Sequence, residues 1–139
     1  MIAIKYNFRG PNFATVSACA SGSNAIIDSY NYIMSGTADI IVTGGSESAV
    51  NETGVGGFNA LKALSERNES PETASRPFDR DRDGFVLGEG GGALILEEYN
   101  HAKKRDAKIY GEIIGFGMSC DAHHITCLLY TSPSPRDRG

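Results

Sequence analysis

The sequence has no tryptophan, only 3 cysteines, no surplus of basic charge and no long apolar run, and each shortage removes a class of function. Lys and Arg total 13 against 17 Asp and Glu, a net charge of −4, so no basic stripe is present to meet nucleic acid or an anionic membrane surface. The longest apolar runs, Ile40 to Val42 and Ala93 to Leu96, are of core-strand length, far short of the ~20 residues of a membrane span. An odd number of cysteines at uneven spacing builds no disulfide framework, which fits a reducing, cytoplasmic setting. The opening residues Met1 to Lys5 lack the charged-then-apolar layout of a secretory leader. At 139 residues the chain is long enough for one domain.

What is present is organised around Cys19. Phe13 to Ala18 reads as a short buried strand, and from Ala20 the apolar positions Ile26, Tyr30, Ile33 and Met34 fall at helical spacing. Cys19 is therefore expected at a strand-to-helix turn. The first backbone N–H groups of a helix lack partners and carry the positive end of its dipole, so a thiol there is biased toward the nucleophilic thiolate. A buried thiol serving as a small hydrophobe fits the position as well, and position alone leaves both readings open.

The helix is expected to end near Gly36, a residue suited to a left-handed cap. Ala38 to Thr43 reads as a strand buried on both faces, and strand, helix, strand implies a parallel pair with a right-handed crossover. Gly44 to Gly57 reads as loop and Phe58 to Glu66 as a short helix. Gly84 to Leu87 and Ala93 to Leu96 read as a hairpin about the turn Gly88 to Gly92. Glu97 to Arg105 reads as a charged helix, and Ile109 to Phe116 as a further strand.

Four tempting motifs fail. Asp79, Asp81, Asp83 and Gly84 open like a calcium loop, but Gly90 stands where the twelfth-position Glu is needed; an ion-paired connector is the better reading. Gly88 to Ala93 satisfies a dinucleotide fingerprint, yet a strand follows where a helix must begin. Gly44 to Ser48 approaches a nucleophile elbow but has Ser48 at its second glycine. Cys120, His123, His124 and Cys127 have zinc-ligand spacing, but Cys127 opens a segment of different character. No metal and no cofactor is assigned.

Three stretches carry a family resemblance. VSACASGSNAI (16–26), TGVGGFNALKALSERN (53–68) and ASRPFDRDRDGFVLGEGGGALILEE (74–98) resemble, in order and spacing, segments of the beta-ketoacyl-[acyl carrier protein] synthases, condensing enzymes of fatty-acid and polyketide synthesis, and most closely synthase II. The resemblance runs to Thr126 and implies a partial ketosynthase domain over 1–126, of α/β thiolase-like fold with a mostly parallel sheet and a buried nucleophile helix. It implies Cys19 as catalytic nucleophile, Phe58 in the acyl pocket, and His124 and Thr126 near the entry of the pantetheine arm. It also implies acyl- and malonyl-loaded acyl carrier protein as partner and a homodimer at full length. The family's two decarboxylation histidines and its second oxyanion donor belong to downstream motifs, and His101, His123 and His124 match none of them. Residues 127–139, CLLYTSPSPRDRG, have the composition of a disordered tail and resemble translated adapter sequence. The expectation is thus a truncated synthase II of fatty-acid elongation, inactive by itself. The alternatives are a polyketide ketosynthase or a non-catalytic acyl-binding or carrier-interaction module.

Overall fold

The computed structural model describes residues 2–120 and 122. The chain divides into two units, Met1–Ile109 and Tyr110–Gly139. In the first, the elements run α1 (Ile2–Tyr6), a 3-10 turn (Ala18–Ala20), α2 (Ser21–Met34), β1 (Ile40–Glu47), α3 (Glu52–Ala60), a 3-10 turn (Pro71–Thr73), β2 (Gly90–Glu97) and α4 (Tyr99–Lys104). In the second, the described residues 110–120 and 122 hold no helix or strand, so the strand expected over Ile109 to Phe116 is not formed.

Helix α2 ends where Gly36 predicts. Gly36 takes φ +71°, its N–H donates to Ile33 O at 3.0 Å, and Thr37 N–H reaches back to Tyr32 O at 2.9 Å. These paired bonds satisfy carbonyls that the last turn leaves open. One side of α2 lies against β1, where Ile41 is half-buried and Thr43 buried, while Ile40 and Val42 on the alternate face stay exposed. The helix is thus covered on one side only, and Ser29 is its single buried residue.

The parallel strand pair is corrected by the structure. Among the described residues the sheet has two strands, β1 and β2, antiparallel in the register Ile40↔Glu97 through Glu47↔Gly90. Phe13 to Ala18 forms no strand, and Val16 is 87% exposed. An extended segment becomes a strand only when a neighbour takes its backbone groups, and none of the described residues does so here.

The hairpin is corrected for the same reason. Phe85 exchanges backbone hydrogen bonds with the loop 63–65 (Phe85 N–H to Ala63 O and Ser65 N–H to Phe85 O, both 3.0 Å). That leaves β2 to pair with β1. Gly84 makes the approach possible, since a Cβ there would lie 2.4 Å from the Leu64 carbonyl carbon.

Helix α3 begins six residues before its expected start at Phe58. Asn51 caps it by accepting the Gly54 N–H at 2.9 Å, and Lys62 at φ +53° ends it. Glycines at 54, 56 and 57 hide the helix from a propensity reading, and the cap overrides them. The supposed calcium loop is indeed an ion-paired connector. Arg80 pairs with Asp81, and Arg67 lies 3.8 Å from Asp83. Asp83 is held below the usual carboxylate range first by the Ser65 hydroxyl.

At the end of β2, Glu97 accepts from Arg105 Nε at 2.8 Å and sits 2.6 Å from His101 Nδ1. These partners, Arg105 first, hold its carboxyl at about 2 against an ordinary 4.5. A depressed folded value means that the stabilisation is fully present above pH 4.5 and is lost as pH falls toward 2. A Glu97→Gln variant should therefore melt below wild type at neutral pH and approach it across that acid window. Melting curves that stay equally separated from pH 7 to pH 2 would contradict this role for Glu97.

Candidate active site

Cys19 is exposed and lies in the 3-10 turn that leads into α2, so the expected turn-to-helix placement holds although the preceding strand is absent. Ala18, just before it, takes φ +49°, a conformation that costs a residue with a Cβ roughly 1–2 kcal/mol. Several hydrogen bonds hold it there. Ser17 N–H donates to Ser21 Oγ at 2.9 Å, Ser21 Oγ donates to Ala18 O at 2.7 Å, and Asn24 Nδ2 donates to Ser17 Oγ at 2.7 Å. Further up the same segment Thr15 Oγ1 donates to Asp28 Oδ2 at 2.8 Å, fastening the approach to the helix.

The turn faces an open groove of about 1280 Å³, lined by residues 11–15, the head of α2, β1 and the start of β2. Small residues make the approach of these elements possible. A Cβ on Gly45 would lie 3.2 Å from Gly22 Cα, and one on Gly44 would lie 2.0 Å from Gly92 O. Glu47 is the one ionisable acid in the lining, and no histidine contributes to it among the described residues. His101 is instead engaged with Glu97. Among the described residues the groove therefore presents a thiol, small hydroxyl side chains, backbone groups and Glu47, without a histidine.

Of the other expected site residues, Phe58 does not line this groove. Its ring stands edge-on to Phe85, with centroids 5.1 Å apart. His124 and Thr126 lie outside the described residues, as do His123 and Cys127. The sequence reading did not single out Ser17, Ser21 and Asn24 as supports of the turn. Their signal was present as polar residues two before, two after and five after Cys19, but small polar residues at a helix start have many uses. Glu89 was missed too. Its carboxylate accepts from Val50 N–H at 2.9 Å and Ser48 Oγ at 3.2 Å, tying the loop before α3 to the entry of β2.

The class to which this fold belongs is that of the ketosynthases, as comparison with solved structures shows. The crystal structure of a beta-ketoacyl synthase from Burkholderia phymatum matches with a TM-score of 0.83 and 44% identity, over 90% of this chain and 30% of that one. A complex of a type II PKS acyl-carrier protein with its hexaketide-bound ketosynthase matches with a TM-score of 0.75 and 43% identity, over 78% of this chain and 27% of that one. The chain belongs to the beta-ketoacyl synthase family, its residues 1–102 matching the family's N-terminal domain.

Among curated relatives, the mitochondrial 3-oxoacyl-[acyl-carrier-protein] synthase of Arabidopsis thaliana is 56% identical over 126 residues, 90% of this chain and 27% of that protein. The 3-oxoacyl-[acyl-carrier-protein] synthase 2 of Synechocystis is 51% identical over 139 residues, 100% of this chain and 32% of that protein. The chain thus spans about a third of the length of these relatives, and the resemblance read from the three sequence stretches holds. No helix among the described residues is long and apolar enough to cross a membrane.

Proposed function

We propose that this chain is the nucleophile-bearing part of a decarboxylating condensing enzyme that extends acyl chains in fatty-acid synthesis. The observation that carries the reading is the placement of Cys19, exposed at the head of α2 and facing the groove, in a chain of this family. Cys19 Sγ attacks the thioester carbonyl of an acyl carrier protein. The tetrahedral oxyanion collapses, the carrier's thiol leaves, and the acyl group stays on sulfur. Malonyl carrier protein then loses carbon dioxide, and the resulting carbanion attacks the acyl-cysteine. The oxyanion in each step needs preorganised N–H donors, of which the Cys19 backbone supplies one.

The rest of the machinery lies beyond what this chain identifies. We assign residues 1–126 to a partial ketosynthase domain and 127–139 to a non-native tail. Phe58 is assigned to the acyl pocket, and His124 and Thr126 to the pantetheine entry. In the whole protein further strands would complete a mostly parallel sheet, bury α2 and form a homodimer. The exposed Ile40, Val42, Leu94 and Ile95 on the two strands support such added layers. The working compartment is assigned as the cytoplasm, although the names of three relatives place those proteins in mitochondria or chloroplasts. A polyketide ketosynthase is the second reading, favoured by the likeness to the type II PKS complex.

Acyl transfer from acyl carrier protein, followed by peptide mass spectrometry of the intact protein that carries this segment, tests the assignment. Label is expected on Cys19 alone. Label on Cys120 with none on Cys19 would refute it.

A further inference from the structure

We infer that Ser21 is a positioning residue that keeps the Cys19 backbone N–H free and aimed as an oxyanion donor; this rests on the reading of Cys19 as the nucleophile. The Ala18 carbonyl is held from the helix side twice, by Ser21 Oγ at 2.7 Å and by the Ser21 N–H. The same hydroxyl accepts the Ser17 N–H at 2.9 Å, so it clamps both sides of Ala18. No peptide bond here is cis, and in a planar trans unit the C=O and the following N–H point in opposite directions. Holding the Ala18 carbonyl toward Ser21 therefore turns the Cys19 N–H away from it.

That N–H has no hydrogen-bond partner among the described residues. A free donor beside the sulfur is what a developing oxyanion requires. A flip of the Ala18–Cys19 peptide plane, by rotation about ψ of Ala18 and φ of Cys19, would put a carbonyl dipole where the donor belongs. Ser21 opposes that rotation, with Asn24 as a brace through Ser17 Oγ at 2.7 Å.

The step at stake is the attack of Cys19 Sγ on a carrier thioester. A C–S bond forms, the carbonyl becomes an oxyanion, the C–S bond to the carrier breaks, and the carrier leaves as thiol with the proton given up by Cys19. Alkylation of the same sulfur by iodoacetamide displaces iodide and builds no oxyanion. The two reactions share the thiol and differ in their need for the N–H.

In the full-length protein carrying this segment, Ser21→Ala should slow acylation of Cys19 by acyl carrier protein about 10- to 100-fold. That is below the ~10²–10³ for removal of a donor outright, because the Ser21 N–H still holds the carbonyl. Iodoacetamide alkylation of Cys19 should stay within about twofold of wild type, and Ser21→Thr, which keeps the hydroxyl, should restore acylation. Equal slowing of both reactions, or undiminished acylation in Ser21→Ala, would overturn the role. A variant that fails to fold shows as a lost melting transition, and Asn24→Ala, which removes only the brace on Ser17, then takes its place with a smaller slowing of acylation and unchanged alkylation expected. If wild-type Cys19 itself takes no acyl group while iodoacetamide labels it, the nucleophile reading fails, and that result is separate from the behaviour of Ser21.

Discussion

The 139-residue chain, purified and given acyl and malonyl carrier proteins, is expected to form no condensation product and to release no carbon dioxide above a Cys19→Ala control. The proposed reaction needs a nucleophile, two oxyanion donors and groups that promote decarboxylation. The chain identifies the thiol and one donor N–H, and the groove contains no histidine among the described residues. A missing oxyanion donor lowers a rate by roughly 10²–10³, and a missing acid or base by a further 10²–10⁴ or so. Together these put turnover below detection in an ordinary assay. Product formation clearly above the Cys19→Ala control would show that the groove as it stands is a complete catalyst.

The second large effect is on the sheet. Gly44→Ala should cost about 3–5 kcal/mol, a large part of the ~5–15 kcal/mol that holds a typical domain together. Gly44 takes φ +156°, and a Cβ there would lie 2.0 Å from Gly92 O and 2.9 Å from Ala93 Cα. Both neighbours are backbone of β2, so no side chain can swing aside. Relief requires β1 and β2 to separate, and their pairing is the one sheet of the described chain. Gly92→Ala is the control, because a Cβ there meets nothing within 4 Å and an alanine restricts the unfolded chain. Thermal unfolding and soluble yield of the two variants should diverge sharply. A Gly44→Ala protein that melts with Gly92→Ala would show that the strands shift to accommodate the methyl group.

Local chemistry was readable without coordinates. The helical spacing from Ile26 to Met34 and the cap at Gly36 predict α2 nearly to its ends, because both depend on residues within a few positions of one another. The charged helix around His101 and the rejection of a dinucleotide site followed from equally local rules, and β2 does begin at Gly90 where a helix was needed. The place of Cys19 at the head of α2 was legible because the residues that set it adjoin it in sequence. The Asn51 cap was legible in principle and was overlooked among the glycines that follow.

Residues near one another in the chain were enough to set the elements that close their own hydrogen bonds over short range, the position of Cys19 at the head of a helix, and, through three ordered stretches, the family. Tertiary structure alone decided which strands form and with what partners. Phe13 to Ala18 and Ile109 to Phe116 have strand-like patterns, yet a strand exists only through the backbone groups of a neighbour. Tertiary structure decided too that β1 pairs with β2 rather than β2 with Phe85, because Gly84 lets that segment close against Leu64 instead. Only the folded turn showed that one serine hydroxyl holds both sides of Ala18, since the direction of a peptide plane is set by bonds in space and leaves no periodic trace in the chain.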